Sequence, residues 1–150
     1  LLGGGDKAFL TGVGSFAAAH AAYITGFASR RDRGPLLGHP GLKAAAAMWA
    51  TTAPVMGLAA ARKSSGLGRP VAGYATILAA MFATSTLLDP RIDTSARRTL
   101  QAGTGLFLLS DSLLGVQEFL LREHSPALES AVMATYTAGQ GLIAAGVART

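Results

Sequence analysis

The sequence of 150 residues contains no cysteine, which excludes both a disulfide framework and a thiolate nucleophile. It is also poor in charge, because Asp, Glu, Lys and Arg make up 14% of the residues, against about 25% in an ordinary soluble domain. No basic run is interleaved with aromatic residues, so no nucleic-acid partner is predicted. The glycine-rich phosphate-binding fingerprints of nucleotide-binding proteins are missing too. The function therefore has to be sought in the apolar segments.

Charged residues are absent from four long windows and concentrated between them. Each window is close to the ~20 residues that a helix needs to cross a bilayer. A fifth window is interrupted only by Asp111 and Glu118. A soluble bundle is the alternative, but successive helices without a charged face would leave nothing to meet water. The pattern predicts an all-α, polytopic transmembrane helix bundle with spans at about 8–28, 42–61, 70–88, 99–121 and 128–148.

The connections between the spans are short, which predicts a compact bundle of neighbouring antiparallel helices. With alternating spans, eight Lys and Arg residues fall on one side and five on the other, which places the C-terminus in the cytoplasm. The chain begins LLGGGD, without a methionine, and we interpret this start as the end of a preceding helix that stops near Asp6. We expect residues 1–150 to be a single membrane domain that lacks its N-terminal helices, in the cell membrane.

Among the polar residues in the predicted spans, Asp111 is the hardest to explain by a purely structural role. A carboxylate at the centre of a transmembrane helix costs about 2.5–3.5 kcal/mol on insertion scales, so it needs a partner, a water-filled cavity or a function. Glu118 lies nearer the end of the same span, where we expect it to reach water. Tyr23 and Tyr74 could be interfacial aromatic residues. The polar residues that we expect to share an internal cavity with Asp111 are Asp6, His20, Tyr23, Ser110, Tyr136 and Gln140.

Two kinds of catalytic site lack support in the sequence. His20 is the only histidine within a predicted span, so the ligand set of a metal site is not available and no metal is predicted. Ser110 precedes Asp111 without a GxSxG motif or a strand–turn–helix context, which argues against a serine hydrolase. Any chemistry in the spans is therefore expected to use carboxyl groups.

Four blocks of the sequence resemble the YhhN family of multi-pass membrane proteins. They are GGGDKAFL (3–10), GVGSFAAAHAAYITGF (12–27), GTGLFLLSDSLLGVQEF (103–119) and TYTAGQGLIAAG (135–146). The resemblance implies a protein of about eight transmembrane helices, of which this chain would supply the last five and the end of the third. Characterised members are lysoplasmalogenases, which hydrolyse the vinyl ether bond of a lysoplasmalogen to a fatty aldehyde and glycerophosphoethanolamine or glycerophosphocholine. The implied substrate is therefore a lysophospholipid taken from membrane lipid.

Vinyl ether hydrolysis begins with protonation of the β-carbon, which leaves an oxocarbenium-like cation to which water adds. The reaction needs a proton donor and an anion that faces the cation, and glycosidases use two carboxyl groups for a similar purpose. We assign Asp111 as the general acid and Asp6 as the anionic stabiliser or water-activating base, and the reverse assignment is also open. No cofactor is needed. The residues expected to position water and the head group are His20, Tyr23, Ser110, Tyr136 and Gln140.

Two other classes of function stay open at this point. A proton-coupled transporter or lipid-handling protein would use the same intramembrane acids for coupling or binding. A structural membrane subunit would use its polar residues only to join helices, and Asp111 would then pair with a hydroxyl or backbone group and line no cavity. The sequence does not specify the lipid or the oligomeric state.

Overall fold

The computed structural model describes residues 4–121, 123 and 125–150, without the side chains of Asp6 and Phe9. The described chain contains no β-strand, only one isolated bridge between Arg31 and Leu88. The all-helical prediction is therefore confirmed. The helices are α1 (Gly4–Ser29), α2 (Pro40–Lys63), α3 (Gly68–Thr86), α4 (Thr94–Phe119) and α5 (Pro126–Val147).

Local capping sets where the later helices begin. The Asp93 carboxylate accepts a hydrogen bond of 3.0 Å from the backbone N–H of Ala96 at the start of α4. Ser125 caps α5 by accepting one of 3.4 Å from the N–H of Leu128, and Pro126 occupies the first helical position. Both helices therefore begin before the predicted spans, because an apolar window omits a polar first turn.

The start of α1 contradicts the prediction that a preceding helix ends near Asp6. This helix begins at Gly4 and continues without a break to Ser29. Among the described residues only Gly38 has a positive φ, of 85°, so no described glycine beside Asp6 adopts the left-handed conformation that commonly ends a helix. The backbone of Asp6 thus belongs to α1, while its side chain lies outside the described residues.

The helices pack mostly, but not entirely, in chain order. Helix α3 contacts α1, α2 and α4, and α5 packs along α4. In the part of the chain that the structure describes, α1 has no close backbone contact with α2, so the prediction of neighbouring consecutive helices is wrong for this pair. The connection between them is attached to the α3–α4 connection instead. The N–H of Asp32 donates to the Leu87 carbonyl at 2.8 Å, and the N–H of Asp89 donates to the Arg30 carbonyl at 3.0 Å.

Helices α4 and α5 cross with their backbones in contact. A Cβ atom added to Gly103 would lie 2.8 Å from the backbone nitrogen of Ile143, and one added to Gly139 would lie 3.1 Å from that of Phe107. Gly103 therefore requires glycine, and a side chain at Gly139 would press on the α4 backbone, as at the close helix crossings common in membrane proteins. This contact fixes the middle of α4, which carries Asp111, against α5.

One described helix, α2, is long and apolar enough to cross a membrane by length and composition. Helices α1 and α4 are longer, with 26 residues each, but they are rich in glycine, alanine, serine and threonine. The glycine, serine and threonine residues among these add little hydropathy, and α4 also carries charged residues. The five predicted membrane spans therefore correspond to five helices, while their crossing of a membrane stays a prediction.

Candidate active site

A cleft of about 570 Å³ lies among the helices, in the half of the bundle where α2 and α4 end. All five helices contribute to its walls, which are mostly apolar. Asp111 lies on this cleft, together with Ser110 and Tyr136, whereas His20, Tyr23 and Gln140 do not line it. The polar residues on its surface are Thr52, Tyr74, Ser110, Asp111, Ser112, Glu118 and Tyr136.

Asp111 has one direct side-chain partner in the described chain, Tyr74 of α3. The Tyr74 hydroxyl donates a hydrogen bond of 2.6 Å to Oδ2 of Asp111. Hydrogen bonds to a carboxylate are among the stronger ones in proteins, so this one fixes the orientation of the carboxyl group. Asp111 thus pairs with a hydroxyl group, as the structural alternative requires, but it also lines a cavity, which that alternative excludes.

Sequence reasoning missed Tyr74 as a partner of Asp111. The two residues are separated by 37 positions, and nothing in the α3 sequence distinguishes a buried tyrosine from an interfacial one. The weak signal available was its place within a charge-free span, where a hydroxyl group is expected to find a partner when it is buried.

His20 is buried in a cluster of aromatic rings, with 1% of its surface exposed. Its ring centroid lies 4.6 Å from that of Phe107, 6.0 Å from that of Tyr74 and 6.2 Å from that of Tyr23. The contacts with Tyr74 and Tyr23 are edge-to-face. This packing joins α1, α3 and α4 and places the imidazole beside the tyrosine that holds Asp111.

The two nitrogens of His20 have different environments. Nδ1 lies 2.6 Å from the Phe16 carbonyl, which can only accept a hydrogen bond, so we assign the proton to Nδ1. Nε2 is then an acceptor, and it is buried with no hydrogen-bond partner among the described residues. An unsatisfied buried acceptor costs about 1–3 kcal/mol. His20 is therefore a buried packing residue of the aromatic cluster with one ring nitrogen bonded to its own helix and the other unpaired among the described residues.

Side chains join α1 to α5, which have no close backbone contact in the described chain. The Tyr23 hydroxyl donates a hydrogen bond of 3.1 Å to Oε1 of Gln140. The ring of Tyr136 meets Phe16 edge-to-face, with centroids 6.4 Å apart. Tyr23 and Gln140 therefore bridge two helices outside the cleft, and Tyr136 is the residue of this group that reaches it.

Ser110 is fully buried, and its hydroxyl donates a hydrogen bond of 3.0 Å to the Val132 carbonyl of α5. This bond uses the only proton of the hydroxyl group and joins α4 to α5. Ser110 thus lies on the cleft with its donor already engaged, which suits a structural role better than the positioning of substrate.

Glu118 lies at the end of α4 and forms an ion pair with Lys63 of α2. The Lys63 ammonium group also donates a hydrogen bond of 3.1 Å to the main-chain carbonyl of Glu118. The side chains of Lys63 and Glu118 are 50% and 30% exposed, and that Glu118 reaches water stays a prediction. No other ion pair is found in the described chain. Sequence reasoning did not pair these residues, which are 55 positions apart.

Comparison with known proteins yields one match. The family model for the YhhN family matches residues 1–147. No curated protein and no solved structure matches the chain. All four sequence blocks that resemble the family lie within the matched range.

Proposed function

Because the chain belongs to the YhhN family, we propose that it is a membrane-embedded lipid hydrolase that cleaves the vinyl ether bond of a lysoplasmalogen. The products would be a fatty aldehyde and a glycerophospho-base. The family is membrane-associated and consistent with a hydrolase. The observation that carries the proposal is the position of Asp111, a carboxyl group on the wall of a largely apolar cleft of about 570 Å³.

The outer surface supports placement in a membrane. Helix α2 exposes 45% of Trp49, 49% of Val55 and 63% of Leu58. Large exposed apolar side chains on the outside of a helix bundle mark contact with lipid or with another protein. The multi-pass topology with a cytoplasmic C-terminus is part of the proposal, and the basic residues between the helices are its support.

In the proposed mechanism, the carboxylic acid of Asp111 transfers its proton to the β-carbon of the vinyl ether. The Tyr74 hydrogen bond to Oδ2 stabilises the carboxylate that this transfer leaves. Water then adds to the oxocarbenium carbon and gives up a proton to a base. The hemiacetal loses its hydroxyl proton, its bond to the glycerol oxygen breaks, and that oxygen is protonated as the aldehyde leaves. Asp111 acts throughout as a group in contact with the reacting atoms.

Asp6 is our candidate for the base and for the anion that faces the cation. It precedes Gly12, a residue of the cleft wall, by less than two helical turns on α1. A second carboxylate that faces the oxocarbenium ion would stabilise it and accept a proton from the attacking water, which is the division of roles between the two carboxyl groups of inverting glycosidases. The reverse assignment of the two acids is equally compatible with this arrangement.

A lipid-handling protein is the second candidate, because a mostly apolar cleft would also bind a lipid chain without chemistry. In that case Asp111 would bind a polar group of the lipid, and in a proton-coupled transporter it would carry the coupled proton. The two candidates differ in whether the lipid is cleaved.

Aldehyde release from a lysoplasmalogen by the purified full-length protein tests the proposal. We expect release by the wild type and a loss of roughly 100-fold or more in Asp111→Asn, which cannot donate the proton. Glu129→Gln is the matched control, because it makes the same change at an exposed acid outside the cleft. Full turnover by folded Asp111→Asn would exclude the mechanism. A folded wild type that binds the lipid without releasing aldehyde would favour the lipid-handling candidate.

A further inference from the structure

The cleft extends from Asp111 to an ion pair near the end of the bundle. Glu118 lines the cleft, and its ion-pair partner Lys63 lies beside it at the surface, outside the cleft lining. We infer that the Lys63–Glu118 pair is a head-group site that selects lysophospholipids carrying a zwitterionic head group, a phosphate followed by an ammonium. The inference rests on the proposed function, which supplies the lipid and its glycerophospho-base, and it adds the two residues that recognise the head group.

The spacing along α4 fits such a lipid. Asp111, Gly115 and Glu118 all line the cleft and lie on one helix face at i, i+4 and i+7. The rise from Asp111 to Glu118 is about 10 Å. A lysophospholipid carries its ether and its phosphate at opposite ends of one glycerol unit. With the vinyl ether at Asp111, the glycerol unit extends toward the ion pair.

Gly115 keeps the path between the two acids open. A Cβ atom at this position would lie 3.0 Å from the sulfur of Met56, which stands on α2 across the cleft. Any larger side chain would occupy the space between Asp111 and Glu118. The absence of a side chain here therefore leaves room for the glycerol unit.

The charges of the pair complement a zwitterion. Lys63 can bind the phosphate, and Glu118 can bind the ammonium group, so one ion pair is exchanged for two. A head group that carries a phosphate alone would leave the Glu118 carboxylate unpaired beside a second anion, and such repulsion discriminates against the wrong ligand. Partly exposed ion pairs contribute little to stability, so the existing pair can rearrange readily.

The fatty chain has a route out of the cleft. Phe16 on α1 and Met133 on α5 both line the cleft, and 43% and 59% of their surfaces are exposed. These two helices have no close backbone contact in the described chain. The apolar wall thus reaches the outer surface of the bundle. The fatty chain of the lipid can extend out of the cleft between α1 and α5 while the head group stays at the ion pair.

Steady-state aldehyde release with three substrates tests this inference. The substrates share one alkenyl chain and carry phosphoethanolamine, a phosphate monoester or no phosphate at all. We expect the wild type to prefer phosphoethanolamine. Lys63→Gln should raise KM about tenfold more for the two phosphate-bearing substrates than for alkenylglycerol. Glu118→Gln should shift the ratio of kcat/KM by about tenfold toward the phosphate monoester.

The controls are Arg62→Gln and Glu123→Gln, which remove one charge of each sign at exposed positions that do not line the cleft. They should keep the preference of the wild type. An unchanged preference in both Lys63→Gln and Glu118→Gln would overturn the inference, and so would an equal loss for all three substrates. Because the two variants act on opposite charges, either one tests the site if the other does not fold.

A binding measurement separates this inference from the proposed function. Saturated alkyl-ether analogues with the same three head groups cannot undergo vinyl ether hydrolysis, and their affinity for the full chain in detergent reports recognition alone. Preference for the zwitterionic analogue, lost in Glu118→Gln, would support the head-group site even if no aldehyde is released. Normal aldehyde release without any such preference would leave the hydrolase standing and overturn the head-group site.

Discussion

The Tyr74 hydroxyl donates its proton to Oδ2 of Asp111 across the α3–α4 interface, at a distance of 2.6 Å. The carboxyl group is therefore held through Oδ2, and Oδ1 has no hydrogen-bond partner among the described residues. Tyr74 lines the cleft as well, so its ring and hydroxyl form part of the same wall. In the proposed reaction, Tyr74 is a positioning residue that acts through Asp111.

Tyr74→Phe removes this hydrogen bond and keeps the ring. We expect kcat for aldehyde release to fall about tenfold with little change in KM, because a bond of this kind to a charged group contributes about 1.5–3 kcal/mol. Trp49→Phe is the control, since it removes an aromatic hydrogen bond of 2.8 Å to Thr76 outside the cleft. If Tyr74→Phe has a normal kcat and its melting temperature falls only as much as that of the control, Tyr74 has a structural role alone.

His20→Phe separates packing from function at a buried position. Phenylalanine fits an aromatic cluster and removes the buried nitrogen Nε2, which has no partner in the described chain. We expect the free energy of unfolding to change by less than about 1.5 kcal/mol, because the lost Nδ1 bond and the removed unpaired acceptor offset each other.

Aldehyde release should nevertheless fall at least tenfold in His20→Phe if the imidazole handles a proton or water near Asp111. Thermal unfolding in detergent and turnover are measured on the same preparation. Unchanged turnover together with increased stability would identify His20 as a packing residue alone.

Much of the fold could be predicted from the sequence. The charge-free windows and the Pro and Gly residues between them locate the five helices, because apolar length and helix-breaking residues act locally. Asp111 stood out for a similar reason, as an acid in the middle of such a window. The observed helix ends differ by a few residues, since side chains such as that of Asp93 determine where a cap forms.

The pairing of helices could not be predicted in the same way. Tyr74 meets Asp111 and Lys63 meets Glu118 only because α3 and α2 lie against α4, and those contacts depend on packing between distant segments. Hydrophobic periodicity indicates which face of a helix is buried, but it does not identify the helix that covers it. The continuation of α1 through Asp6 was likewise misjudged, because adjacent glycines weaken a helix without having to end it.

Gly103→Ala should destabilise the bundle, while the same change at Gly141 should not. A Cβ atom at Gly103 would lie 2.8 Å from the backbone nitrogen of Ile143, whereas one at Gly141 would meet nothing within 4 Å. Pushing the two backbones apart costs about 1–3 kcal/mol. Unfolding of the two variants in the same detergent measures the difference. Equal stability would show that the α4–α5 crossing can separate without loss.

Asp6→Asn tests whether the reaction uses two carboxyl groups. If Asp6 is the base, its removal should slow aldehyde release by roughly 100-fold, as expected for an acid–base residue. The double variant Asp6→Asn with Asp111→Asn should be little slower than either single one, because groups that act as one unit are not additive. Losses that multiply in the double variant would indicate two independent effects.

Full turnover by a folded Asp6→Asn protein would mean that another residue is the base. Glu118 is the other acid whose position on the cleft the structure describes. Glu118→Gln would then be expected to lower kcat for all three substrates alike, rather than to change the preference among head groups.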